Sequence, residues 1–114
     1  MNATTASLPE DLRQALDQAV AAIVEIAHPQ LIILFGSWAE GKAREDSDVD
    51  LLVVADTEDW LELTETLDSA IRPFLGMRSI DLLVYSIPAW RKDSRLPGFP
   101  ARQADRKGRR LYAA

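Results

Sequence analysis

The sequence predicts an α/β protein, a small sheet with helices packed on one or both of its faces. Two apolar runs, residues 31–35 and 49–54, are too short for free helices and are bounded by turn residues, as buried strands are. Apolar residues also recur at helical spacing, at Leu12, Leu16, Ala19, Val20 and Ile23 and again at Trp60, Leu63, Leu67 and Ile71. The resulting order of helix, strand, strand, helix, strand leaves helices to cover the sheet. With 114 residues, 47% of them apolar, the chain can bury one core but has no room for two domains. A single domain over residues 1–114 is therefore expected, with its core at about 8–85 and a basic segment at 86–114.

Ser7 followed three residues later by Glu10 has the form of a capping box, so the first helix is placed at 8–27 and His28-Pro29 is read as its stop. The first strand, 31–35, ends on Gly36. Residues 37–42 have room for one helical turn, and Glu45, Asp46, Ser47 and Asp48 make a polar turn into a second strand at 49–54. The next helix takes Asp56 or Thr57 as its cap, carries acids in its first turn and is closed by Pro73. A third strand is placed at 79–85. Beyond Ser86, Pro88, Pro97, Gly98 and Pro100 punctuate two short helices, at 89–95 and 99–107, and Leu111-Tyr112 either pairs as an edge strand or docks as an apolar terminus. Trp38 and Trp60 are assigned to the core, and His28 is read as a helix stop rather than a base.

The formal net charge of −5 does not give the basic field of a protein that wraps nucleic acid, so nucleic acid is not the expected direct partner. Eight of the thirteen cations nevertheless fall in residues 91–110, a tail suited to an acidic protein, a nucleotide or RNA, or simply a solvated face. The absence of cysteine removes disulfides, thiolate metal sites and thiol nucleophiles and fits a cytoplasmic location. Met1 to Leu8 has no leader pattern and no stretch approaches a membrane span, so no membrane partner is expected.

The chemistry is carried by Asp48-Val49-Asp50, in which two carboxylates two residues apart lead into an apolar strand. On a strand they face the same side, where mutual repulsion and desolvation call for a cation. Asp81 stands in the same situation in the third strand, and all three carboxylates can converge if that strand lies beside the second. An all-oxygen set with no Cys and its only His elsewhere selects Mg²⁺, with Mn²⁺ possible, and such sites complete their shell with substrate phosphate. A nucleoside triphosphate follows as substrate. Gly36-Ser37, ending a strand before a helical turn, lets a phosphate approach the backbone. Gly41, Lys42 and Arg44 lie where they can touch the β- and γ-phosphates. Taken singly, Gly36 can simply end a strand, Ser37 a turn and Asp48 a cap; Asp50 and Asp81 are harder to dismiss because Asp is depleted in strands.

Gly36-Ser37-Trp38-Ala39-Glu40-Gly41, then Ser47-Asp48-Val49-Asp50-Leu51-Leu52, then Asp81 in a later strand, resembles the DNA polymerase β-like nucleotidyltransferase superfamily. The short length looks like its minimal nucleotidyltransferase group, whose Gly-x-x-Leu-Tyr ending is similar to residues 108–112. The resemblance implies a mixed sheet flanked by helices, Asp48 and Asp50 on two metal ions, and Asp81 on one of them while helping to deprotonate the attacking hydroxyl. It also implies that Gly36 and Ser37 hold the triphosphate. Many members of the group are antitoxins paired in hetero-oligomers with a HEPN-domain toxin, and some transfer AMP from ATP to a tyrosine of that toxin. Glu40 departs from the Arg that relatives commonly carry, leaving its contact to Lys42 or Arg44. Two other readings stand beside this one: a non-catalytic antitoxin or scaffold with a vestigial nucleotide site, and transfer to a small molecule such as an aminoglycoside.

Overall fold

β1 (Leu31–Phe35) and β2 (Val49–Ala55) are apolar on both faces, and the sheet gives each of them a neighbour on both sides. The computed structural model, which describes residues 7–114, orders the strands β3-β2-β1-β4, with β3 at Ile80–Ser86 and β4 at Arg109–Ala113. β1 runs antiparallel to both β2 and β4, whereas β2 and β3 are parallel, so the sheet is mixed, as the family resemblance implies. Residues 1–6, on which the absence of a leader partly rests, lie outside the described residues. Among the described residues no helix is long and apolar enough to cross a membrane.

Alternation along the central strands sends side chains to two helical layers. Ile32, Leu34, Leu51 and Val53 pack against Leu12, Leu16, Ala19 and Ile23 of α1 (Glu10–Ala27) and Leu67 and Ile71 of α3 (Trp60–Leu75). Ile33, Phe35, Leu52 and Val54 face the other way, onto Ala101 and Ala104 of α5 (Pro100–Lys107), with Trp90 of α4 (Ile87–Asp93) at the margin. Each fully buried Leu or Ile side chain here contributes about 1.5–3 kcal/mol. A single turn, α2 (Ser37–Glu40), joins β1 to the loop before β2.

Several local expectations need correction. The Ser7 and Glu10 capping box does not form: Pro9 is the cap of α1, Ser7 Oγ accepts from Arg109, and Glu10 turns along the helix to Arg13 and Gln14. α3 is capped by Asp59, whose carboxylate accepts from the Glu62 amide at 3.0 Å, rather than by Asp56 or Thr57. Pro73 lies inside α3, which runs on to Leu75 and Gly76. Trp60, at the start of α3, is 56% exposed and not in the core. His28 does stop α1, in a left-handed conformation at φ 45°. The edge strand does form, as β4: Tyr112 pairs with Ile32, while Leu111 falls at the register irregularity between Ile32 and Ile33.

Gly108 links α5 to β4 at an ordinary φ, so it is required by space and not by conformation. A Cβ there would lie 2.4 Å from the Ala104 carbonyl oxygen, 2.4 Å from Ile33 Cγ2 and 3.1 Å from the Leu34 carbonyl oxygen. Backbone atoms on both sides cannot yield without lifting α5 from β1. Gly108→Ala is expected to destabilise the protein by about 1–3 kcal/mol, the usual cost of overpacking, read as a lower urea midpoint at unchanged slope.

Candidate active site

The β2–β3 register sets Asp50 directly beside Asp81. In β2, Asp50 is two residues before Leu52, so its side chain lies on the α4–α5 face, and Asp81 bears the same relation to Leu83 in β3. Asp48 stands one residue ahead of β2, at the end of the polar turn. Ser79 carries the pairing one step beyond β3, its carbonyl accepting from the Val49 amide at 2.8 Å. Asp50 and Asp81 therefore stand side by side at one end of the sheet, with Asp48 just ahead of β2.

Their electrostatics show how close they are. Partial burial pushes the Asp50 carboxyl up to about 6, and the charges of Asp81 and then Asp48 push in the same direction. Asp48 and Asp81 are exposed. Among the described residues no group of three Asp, Glu, His or Cys side chains is placed to hold a metal ion. An open set of carboxylates is nonetheless the donor type that fits Mg²⁺, which usually takes one or two protein carboxylates, water and substrate phosphate.

Gly36 closes the other wall of this mouth. β1 ends opposite Asp50 at Phe35, and Gly36 turns the chain into α2 at φ 72° and ψ −154°. A Cβ on Gly36 would lie 2.1 Å from Asp50 Oδ2. Only glycine lets the main chain pass the carboxylate while adopting this conformation. Ser37 follows as the first residue of α2.

The two cations assigned to phosphate contacts are less committed. Lys42 is 75% exposed, with its ammonium 3.8 Å from Glu40. Arg44 is fixed through its main chain: its amide donates to Ser47 Oγ at 2.8 Å, and its carbonyl accepts from the Ser47 amide at 3.0 Å. Neither contributes to the Asp50 shift. Glu40 itself ties α2 to α5, accepting from Gln103 Nε2 at 3.2 Å.

Sequence reasoning missed the braces behind the site. Trp38 is buried, as expected, but its indole Nε1–H also donates to the Ser47 carbonyl at 3.1 Å, fixing the residue before Asp48 to the helix that follows Gly36. The Arg78 guanidinium lies 5.8 Å from the Trp38 ring centroid and pairs with Asp11 at 2.9 Å. From β4, Arg109 Nε donates to the Ala39 carbonyl at 2.9 Å. Part of the basic tail is thus an internal strut. A tryptophan two residues after the strand-ending glycine was the only available signal for any of these.

Acids paired across parallel strands, facing a Gly-Ser turn at the end of a mixed sheet, define a nucleotidyltransferase architecture. A profile of the family described as "Polymerase beta, Nucleotidyltransferase" matches residues 18–92, and the chain belongs to that family. No curated protein matches the chain. Among solved structures, the crystal structure of a toxin-antitoxin with AMP-PNP aligns over 86% of this chain and 73% of that one, at 26% identity and a TM-score of 0.56. Two mutants of the MntA-HpeT toxin-antitoxin share the fold. One has 24% identity and a TM-score of 0.51 over 87% of this chain and 72% of that one. The other has 22% identity and a TM-score of 0.53 over 86% and 73%.

The raised Asp50 pKa has a definite sign in stability. Between its ordinary value, near 4, and about 6, the folded chain holds a proton that the unfolded chain releases. The contribution is therefore complete below about pH 4 and is lost as the pH rises through 6. In metal-free buffer Asp50→Asn is expected to raise the thermal midpoint by a few degrees at pH 8, with the gap closing at pH 4. Thermal unfolding of the two proteins at the two pH values checks this.

Proposed function

We propose that this protein transfers a nucleoside monophosphate, AMP from ATP, to a hydroxyl of a partner protein, and that it is the antitoxin of a pair whose toxin is a HEPN-domain protein. The observation that carries the reading is the Asp50–Asp81 register with Asp48 at the same mouth, opposite Gly36. The family membership supports the reaction class, and the fold shared with toxin-antitoxin structures, one with AMP-PNP, supports the choice of nucleotide and partner. A hetero-oligomer in the cytoplasm follows from the same reading.

Each residue has a part in this scheme. Asp48, Asp50 and Asp81 would hold two Mg²⁺ ions, or Mn²⁺, which when bound stabilise charge on the α-phosphate and on the leaving pyrophosphate. Gly36 and Ser37 hold the triphosphate against the turn, and Lys42 and Arg44 meet its outer phosphates from the connecting loop. Asp81 accepts the proton of the attacking hydroxyl. The acceptor oxygen forms a bond to the α-phosphorus as the bond to the bridging oxygen breaks, and pyrophosphate leaves. Trp38 is a positioning residue that sets Asp48 through the Ser47 carbonyl.

The test is the intact mass of the co-expressed partner after incubation with ATP and Mg²⁺. Addition of AMP units that disappears in Asp48→Asn with Asp50→Asn is the expected result. A stable complex with no mass gain from any NTP would instead support a non-catalytic binding module, a reading favoured by the engagement of Lys42 with Glu40. Trp38→Phe, which deletes the indole N–H and keeps the bulk, is expected to lower kcat about tenfold, of the order of one hydrogen bond's net worth, with KM for ATP nearly unchanged. A KM effect in place of the kcat effect would assign Trp38 to the nucleotide pocket.

A further inference from the structure

Among the described residues β3 is an edge of the sheet, with no strand paired on its outer side. Natural edge strands are usually blunted by charge, proline, bulges or brevity. The opposite edge, β4, is five residues long and carries Arg109 and Arg110. β3 has seven residues, and after Asp81 its run Leu82-Leu83-Val84-Tyr85 contains no charge and no proline. A groove of about 280 Å³ follows this edge, with Leu82 to Ser86 as its floor, Trp60 and Thr64 of α3 on one wall and Ala89 of α4 on the other. Its walls come from the helical layers on opposite faces of the sheet, so the open strand lies between them, where one more strand would pair.

The α3 side of the rim is apolar and acidic, whereas α4 on the other side carries Arg91 and Lys92. Trp60 and Leu61 are 56% and 55% exposed, large side chains that the core does not use. Around them stand Asp56, Glu58, Asp59, Glu62 and Glu65, all exposed, and no Lys or Arg occurs between residues 45 and 71. A partner of opposite charge is steered to such a surface, whereas a nucleic acid is repelled.

The geometry points to β3 as the docking edge for an extended, basic segment of a protein, which adds as a fifth strand beside Leu82 to Tyr85 and seats an apolar side chain against Trp60. Main-chain hydrogen bonds to the edge give the affinity, and alternate side chains give the specificity. The inference deepens the proposed function and rests on it in one respect: Asp81 opens the same strand, so the added segment delivers its hydroxyl to the carboxylate that takes the proton. The nucleotide, on the Gly36 side of β2, and the acceptor, on the β3 side, then approach from opposite flanks.

The probe is a fluorescein-labelled nonapeptide, Lys-Val-Lys-Val-Tyr-Val-Lys-Val-Lys, titrated into the full chain without nucleotide or metal and followed by anisotropy. Expected are saturable binding, at least tenfold loss with Trp60→Ser, and at least tenfold loss when alternate peptide amides are N-methylated. Binding is read without nucleotide or metal, so this test can fail while AMP transfer stands, and the reverse. Equal binding of the N-methylated peptide would overturn strand addition in favour of charge alone. No binding, tighter binding of an oligouridylate of equal length, or loss of a self-associated species in Trp60→Ser would likewise overturn the assignment, the last in favour of a second copy of this chain.

Discussion

Everything in this fold follows from the burial of β1 and β2 on both faces. A strand in that position cannot carry a polar side chain along its length without an unpaid desolvation cost, so charged groups are driven to its ends. β1 ends at Phe35, opposite Asp50 of the antiparallel β2, which brings Gly36 and Asp50 together. β3, parallel to β2, begins at the same end and contributes Asp81. The site is therefore the one end of the central strands where main chain turns and carboxylates coincide, and its location is a consequence of topology before it is one of chemistry.

Clustering three carboxylates at that end costs stability, which the raised Asp50 pKa makes visible. The neighbouring structure absorbs that cost by rigidity. Trp38 anchors the loop ahead of Asp48, Arg78 covers Trp38 and reaches across to Asp11 of α1, and Gln103 and Arg109 hold α2 from the C-terminal segment. None of these groups shifts the Asp50 carboxyl, which burial and its two acidic neighbours raise; they fix the two segments that flank it. A site left open to a cation must be kept in shape by something other than that cation.

The strands and the acidic positions were legible in the sequence because each rests on a local conflict: an apolar run too short for a helix, or an Asp where strands disfavour it. The helix boundaries were legible only where one residue decides them, as His28 does for α1. Where several polar residues compete for a cap, tertiary contacts chose among them. Ser7 serves Arg109, a residue more than a hundred positions away, and no spacing rule reaches that far. Trp60 misled because its periodicity matches the buried stripe of α3, yet it lies in the first turn, beyond the sheet's edge. The roles of Gly108, Gln103 and Arg109 depend on α5 and β4 packing against β1 and α2, which the punctuated segment after Ser86 did not announce.

The strand order divides the surroundings of the carboxylates. β1 and the Gly36 turn close the mouth on one flank, and beyond β1 the flank is filled by β4 and by α5, whose Gln103 reaches α2. On the other flank no further strand among the described residues pairs with β3. The proposed two-substrate reaction at Asp50 and Asp81 needs two approaches that do not interfere, and a sheet with one covered edge and one bare edge offers them.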